Sequence, residues 1–294
     1  MQQTRPSPTP SGASQRNGFA SAMKRWRKLR KRSQLDLAME ADISQRHLSF
    51  LESGRSSPSR EMVMRLADAM DMPLRERNAL LASAGFAPAF SEQALDNDAM
   101  QALQKALRMQ LAFHEPFPAI VVNRDWNLVM QNKAATRLLD LLGNMDARWK
   151  AVDPSGKQNI YRLTFGENGL SPFIENRETL LNVMLVRLQR EVEADPFNTS
   201  LVELLDDLMA RSRTSYAGLA ALDGKGLAPV IPMTLRVGNL RLSLISMISG
   251  FGSAIDVTAE ELKVESFFPA DPETEVFFRQ LASPVPDKSD SVKK

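Results

Sequence analysis

The chain has 294 residues, 43% of them hydrophobic, with 37 Lys and Arg, 35 Asp and Glu, and no cysteine. That length suits one or two domains, and the missing cysteines exclude disulfides and thiol catalysis. No run of about 18 apolar residues offers a membrane span, and the N-terminus lacks the apolar stretch of a signal peptide.

The small net charge hides an asymmetry. Residues 1–90 carry 15 Lys and Arg against 8 Asp and Glu, and the remainder carries 22 against 27. A basic module fit for nucleic acid is joined to a mildly acidic one, and the expected location is the cytoplasm, at the nucleoid.

In chain order, residues 1–17 are polar and rich in Pro and Ser, which predicts a disordered arm carrying Arg5 and Arg16. From Phe19 to Ala84 the pattern is helical, broken near Ser33, Asp42-Ile43, Gly54 to Pro58 and Met72-Pro73. This predicts an all-α domain of short helices over residues 18–90. A bridging helix over Glu92–Phe113, with Leu95, Leu103, Leu107 and Leu111 at helical spacing, opens a second domain over residues 91–283.

At Pro116 the period changes. PAIVVNRDWNLVMQN predicts two strands around an Asn-Arg-Asp turn. A helix is expected over Ala134–Leu142, a strand over Ile160–Phe165, and helices over Asn176–Glu193 and Ser200–Ala210. IPMTLRVGNLRLSLISMIS predicts a hairpin turning at Gly238-Asn239. A last helix is expected around Thr258–Ser266, and residues 284–294 form a polar, disordered tail. The second domain is thus expected to be α/β (α+β), with an antiparallel sheet.

The densest chemistry lies in RSQLDLAMEADISQRHLSFLESGRSSPS, residues 32–59. Ser33 is placed to cap a helix whose inner face is Leu35, Leu37 and Ala38, with Ala38 small enough for a close helix crossing. Asp42-Ile43 makes a turn. Ser44 caps a second helix that turns Leu48 and Leu51 inward and leaves Gln45, Arg46, His47, Ser49 and Phe50 outward. Long polar side chains at the start of such a helix suit base-edge readout. Gln34, beside a helix N-terminus, and Arg55 are placed to hold phosphates. Seven Lys or Arg between Lys24 and Arg32 add salt-sensitive attraction to the backbone.

SQLDLA, ISQRHLSFLESGR and PSREMVMRLADAM resemble the lambda-repressor-like helix-turn-helix of the Xre class. With RERNALLASAGFAPAF, PFPAIVVNRDWNLVMQN and TAEELKVESFFPAD, the chain is similar over nearly its whole length to regulators with an MmyB-like C-terminal domain. The resemblance implies base contacts from Gln45 and Arg46, with Phe50 on the same face. It implies phosphate contacts from Gln34, Ser44, Ser53 and Arg55, and a structural ion bridge between Arg27 and Glu52. It also implies a PAS-like second domain that senses an apolar, fatty-acid-like ligand. Homodimerisation on a near-palindromic double-stranded operator is expected of the motif class. The chain departs from the family at two points: Lys31-Arg32 replaces a common Gly-Leu, and Asp42 stands where the turn usually has Gly.

In the second domain the residues themselves support an apolar interior. Candidate ligand-contacting residues are Phe113, Phe117, Val121, Trp126, Phe165, Phe173, Met184, Leu244, Met247 and Phe251, with Phe267 beside them. Arg124, Arg162 and Arg177 are candidates for a carboxylate head group. His114 is the domain's one histidine, and neither a G-x-S-x-G motif nor a metal-ligand spacing is present. Gly224-Lys225-Gly226 lacks the third glycine of a dinucleotide fingerprint. No enzyme activity, no metal and no cofactor beyond the apolar ligand are expected. The competing expectation is a second domain that only dimerises or binds a protein partner, with a filled core.

Overall fold

Three serines start three of the first helices. Ser33, Ser44 and Ser59 lie in extended backbone, and each side chain accepts a hydrogen bond from the N–H three residues on, which satisfies donors the helix leaves open. The computed structural model describes residues 12–212, 214, 218 and 230–282. The chain divides into two compact units: residues up to Gln93 together with Ser253–Glu260, and the remainder.

The first unit holds α1 (Gly12–Leu29), α2 (Gln34–Glu40), α3 (Gln45–Glu52), α4 (Arg60–Ala69) and α5 (Leu74–Ser83). Helix α1 begins inside the stretch expected to be an arm, and residues 1–11, with Arg5, lie outside the described residues. Phe19, Met23, Trp26, Leu37, Ala38, Leu48, Leu51, Val63 and Leu66 are buried together. Leu35 departs from expectation: it is 51% exposed, because the inward stripe of α2 is set by Leu37 and Ala38 and is centred about 110° around the helix from position 35.

The two departures from the family pattern fall at left-handed backbone, Lys31 at φ 53° and Asp42 at φ 51°. Pro73 begins α5 without a side-chain cap, and the Leu74 N–H is instead accepted by Glu260 at 2.8 Å. Asp256 accepts from the Ser91 hydroxyl at 2.7 Å and from the Gln93 N–H at 3.1 Å. A segment from late in the sequence therefore completes the early helices.

The second unit opens with a 3-10 turn, Asp98–Met100, and α6 (Gln101–Phe113). The bridging helix starts later than expected because Asn97 caps the turn. Strands β1 (Ala119–Val122) and β2 (Leu128–Gln131) follow, then α7 (Lys133–Asp140), α8 (Met145–Val152), α9 (Ile160–Phe165), α10 (Arg177–Ala194) and α11 (Thr199–Ser212). The hairpin is β3 (Met233–Val237) and β4 (Leu240–Gly250), turning through Gly238 at φ 59°. Helix α12 (Val257–Glu261) lies, but for Glu261, in the segment that belongs to the first unit, and the second unit closes with β5 (Lys263–Pro269) and α13 (Pro272–Ala282). The tail from residue 284 and Gly224-Lys225-Gly226 lie outside the described residues.

The five strands form one antiparallel sheet in the order β2-β1-β5-β4-β3. Because side chains alternate across a strand, the sheet sorts its residues cleanly. Ala119, Val121 and Val264 pack with Leu107 and Leu111 of α6 on one face. Ile120, Val122, Leu235 and Leu244 join the cores built with α7 to α11 on the other.

Two expected elements are corrected. Ile160–Phe165 is a helix, not a strand: the Asn159 side chain caps it by accepting from the Arg162 N–H at 3.1 Å, and Tyr161, Leu163, Thr164 and Phe165 are all buried. A short run buried on every side carries no period to tell helix from strand. The helix expected over Thr258–Ser266 ends at Glu261, and Lys263–Pro269 is the central strand β5. Its ladder partners are Ala119–Val122 and Leu244–Gly250. The first of these lies more than 130 residues away, and that pairing overrides the local pattern.

Candidate functional site

Helix α3 presents Gln45 and Arg46 fully outward, with His47, Ser49 and Phe50 half-exposed beside them, while Leu48 and Leu51 are buried. The Ser44 hydroxyl accepts the His47 N–H at 3.1 Å, which leaves the remaining N-terminal amides of α3 open to an anion. The Arg46 guanidinium lies over the Phe50 ring at 5.4 Å, so this exposed side chain is held by stacking rather than left to sample freely. Ser53 donates its hydroxyl to the Phe50 carbonyl at 3.2 Å, and Arg55 is exposed just past the helix.

Behind this surface sits a brace. Arg27 of α1 meets Glu52 of α3 through two hydrogen bonds, of 2.5 and 3.0 Å, and donates a third to the Arg32 carbonyl at 2.8 Å. The Glu52 side chain is 4% exposed. Burial pushes its carboxyl up, but hydrogen bonds from Arg27 and Gln34 and the Arg27 charge outweigh that and hold it below the usual carboxylate range. Gln34 gives its amide N–H to Glu52 at 2.7 Å, so the structure places it in the brace. Arg30 is also turned inward, donating to the Met70 and Asp71 carbonyls at 2.9 and 2.8 Å at the C-terminal end of α4. The basic run on α1 is therefore partly structural. Asp36 completes a capping box with Ser33, and hydrogen bonding to Ser33 holds its carboxyl below the usual range.

In the second unit, a cavity of about 150 Å³ opens between the sheet and the helices. Its apolar walls include Ile120, Leu138, Leu163, Leu180, Met184, Met233, Leu244 and Phe267, and its polar lining is Gln131, Thr164, Arg187, Ser246 and Glu265. The volume compares with engineered cavities that admit a benzene-sized molecule.

Of the ten residues the sequence nominates, the cavity takes in Met184 and Leu244. Trp126 and Phe165 are packed in the adjoining core, and Phe117 and Phe173 pack against the neighbouring one. Val121 and Phe251 belong to the α6 side of the sheet. Phe113 and Met247 are exposed beside a surface groove. The sorting follows strand parity: Val121 faces away from its neighbour Ile120.

None of the nominated arginines lines the cavity. Arg124 pairs with Asp195 and Glu261 at 2.8 and 3.0 Å, Arg162 with Asp207 at 2.6 Å, and Arg177 with Glu167 at 2.6 Å. Arg187 is there instead. Its Nε donates to the Tyr161 hydroxyl at 2.9 Å, and its guanidinium lies over Trp126 at 4.5 Å. Burial works against its charge, but the Tyr161 oxygen and the Glu265 and Glu191 carboxylates outweigh that and raise it above its ordinary value. Burial pushes the Tyr161 hydroxyl well up, so it stays neutral. Arg187, Glu265 and Gln131 escape the sequence reading, although Arg187 stands at i+3 from Met184 on α10 and Glu265 shares strand parity with Phe267.

His114 meets the Phe267 carbonyl at 2.8 Å. Among the described residues no group of three His, Cys, Asp or Glu is placed to hold a metal, and no helix is long and apolar enough to cross a membrane.

Residues 103–281 match the family model of the MmyB-like transcription regulator ligand binding domain, and residues 23–77 match a helix-turn-helix model. No curated protein matches the chain.

Proposed function

The chain belongs to the family of transcription regulators with an MmyB-like ligand-binding domain, and on that premise we propose that it is a one-component regulator in which an apolar small molecule, bound in the second unit, changes how the first unit engages a near-palindromic operator. The observation that carries this reading is the apolar cavity, all of whose lining residues lie within the matched ligand-binding stretch. The fatty-acid-like class implied by the resemblance is supported in its apolar part by walls of Leu, Ile, Met and Phe, the methionines giving adaptable surface. Base reading is assigned to Gln45 and Arg46, with His47, Ser49 and Phe50 beside them. Phosphate holding is assigned to Ser44, Ser53 and Arg55, and to Gln34 through its backbone amide and the side-chain N–H not given to Glu52. The protein acts in the cytoplasm, on chromosomal DNA, and catalyses no reaction.

A ligand shifts the DNA-binding state only by its differential affinity for the two states. The chain offers a path for such a difference: β4 and β5 supply Leu244, Ser246, Glu265 and Phe267 to the cavity, and the segment that joins these strands, Ser253–Glu260, is built into the first unit.

The test has two arms. Selection from a random duplex pool should return a near-palindromic site. Titration of the protein with small apolar probes, followed by tryptophan fluorescence, should saturate and should shift affinity for that site about fivefold or more, in the usual range of allosteric coupling. Probe binding that never saturates refutes the sensing half; a pool that returns no consensus refutes the reading half.

One further observation favours self-association as a second role of the same unit. Phe113 and Met247 are 78% and 62% exposed, and they line one groove with Met109, Ile248 and Phe268. Exposed apolar clusters of this kind mark interaction surfaces. Sedimentation analysis should give a dimer that Phe113→Asp disperses; a wild-type monomer at micromolar concentration refutes this assignment.

A further inference from the structure

The polar end of the cavity sets two acceptors, Gln131 and Glu265, beside the cationic donor Arg187. Gln131 gives its amide N–H to the Thr136 hydroxyl at 2.8 Å, and that hydroxyl gives its own proton to the Asn132 carbonyl at 3.2 Å. Turning the amide round would set its oxygen against a hydroxyl already committed as a donor. The Gln131 Oε1 therefore points inward, and among the described residues it is buried without a partner. Glu265 is 4% exposed, and its ionic partner among the described residues is Arg187, at 3.5 Å.

The sheet register sets both acceptors in one row. Ile120 pairs with Gln131 on one side and with Glu265 on the other, so the two side chains rise from the same face on either side of Ile120.

Among the donors near them, Arg187 gives its Nε–H to Tyr161, and its charge is balanced by Glu265 at 3.5 Å. The Thr164 hydroxyl donates to the Ile160 carbonyl at 2.8 Å. Ser246 can give or take a proton. An ionised carboxylate placed here would add a second negative charge beside Glu265, in apolar surroundings, and would leave Gln131 unsatisfied. A neutral group bearing O–H or N–H satisfies a buried acceptor and leaves the Arg187–Glu265 pair intact.

We propose that the polar end of this cavity selects an uncharged ligand that donates a hydrogen bond, an alcohol, phenol or amide of compact size, and rejects an ionised carboxylate, with Glu265 and Gln131 as the specificity-determining residues. The proposal rests on the reading of the cavity as the sensing site. It keeps the apolar body that the fatty-acid-like class calls for and replaces its head group. Sites built to hydrogen-bond a ligand hydroxyl discriminate strongly against partners that leave their polar groups unpaired.

The test uses the full-length protein and two matched pairs at pH 7.5, phenol against benzoate and 1-octanol against octanoate, by calorimetry and tryptophan fluorescence. The expected result is that phenol and octanol each bind at least tenfold tighter than the matched carboxylate. Glu265→Gln removes the negative charge that pairs with Arg187 in the cavity, so it should narrow or reverse that ratio at least tenfold. Gln131→Leu, on the edge strand β2, should weaken the alcohols several-fold and leave octanoate unchanged; it keeps the test informative if Glu265→Gln unfolds.

Carboxylates binding as tightly as the alcohols in the wild type would overturn the proposal while leaving a sensing site in place. Binding of neither member of either pair would overturn both the proposal and the sensing reading.

Discussion

The two units handle polar chemistry in opposite places. In the first, the side chains proposed to meet DNA face water: Gln45, Arg46 and Arg55 are exposed, and what is buried beneath them, the Arg27–Glu52 pair, ties α1 to α3. In the second, the polar side chains that define the site are inside, Arg187 and Glu265 at the end of an apolar cavity. A surface that meets DNA is attracted at long range by phosphates and can leave its cations solvated until contact. A cavity for an apolar molecule has to keep each polar group paired, or leave it unpaired for the ligand. The units therefore should differ in which substitutions harm folding and which harm only function.

The largest expected effect is on the brace. Glu52→Ala leaves Arg27 buried without its partner and should lower the stability of the first unit by about 3 kcal/mol, read as an early transition in thermal unfolding with the second unit unchanged. The pair also sets a pH dependence. The Glu52 carboxyl is held below its ordinary value in the folded state, so its contribution is complete above the unfolded value, about 4.3. That contribution is lost as pH falls through the lower folded value. Melting of the first unit should drop below about pH 4, and Glu52→Gln should flatten the drop. If both units lose stability in parallel, the division of labour is wrong.

On the DNA side, Arg46→Ala should cost about 1–3 kcal/mol at the cognate site and relax base discrimination there, measured by competition between operator variants. If discrimination is unchanged, α3 does not read bases. For the cavity, Leu139→Trp at its wall should weaken binding of phenol or octanol at least tenfold, about 1.4 kcal/mol, with DNA affinity in the absence of ligand unaltered. A matched loss of DNA affinity would blur the contrast between the units.

Smaller effects sharpen the comparison. Arg55→Ala should weaken all sequences alike and lower the salt slope of DNA binding by about one. Lys31→Gly relieves left-handed backbone at φ 53° and should raise the stability of the first unit by roughly 0.5–1 kcal/mol, visible as a later first transition.

How much of this was legible beforehand differs between the units for a physical reason. Cap residues, helix periods and outward faces are local properties. Ser33 and Ser44 announce their helices, and Leu48 and Leu51 at i, i+3 assign the rest of α3 to solvent. Even the price of Asp42 at a glycine position is visible, since only the backbone at that residue is involved. The pairing of Arg27 with Glu52 was available through family resemblance, while the recruitment of Gln34 into it depends on how α2 and α3 pack.

In the second unit the sequence alone determined that a sheet of alternating strands would be covered by amphipathic helices, and it located β1, β2 and the β3–β4 hairpin. It did not determine α9, in which Tyr161, Leu163, Thr164 and Phe165 are all buried, nor β5, which becomes a strand only because β1 and β4 are there to pair with it. The tertiary structure then decided the cavity. Which apolar residues enclose space and which fill it depends on strand parity and on helices brought together from residues 118 to 267. A buried Glu265 opposite Gln131 becomes chemically meaningful only once both stand in the same row of one sheet.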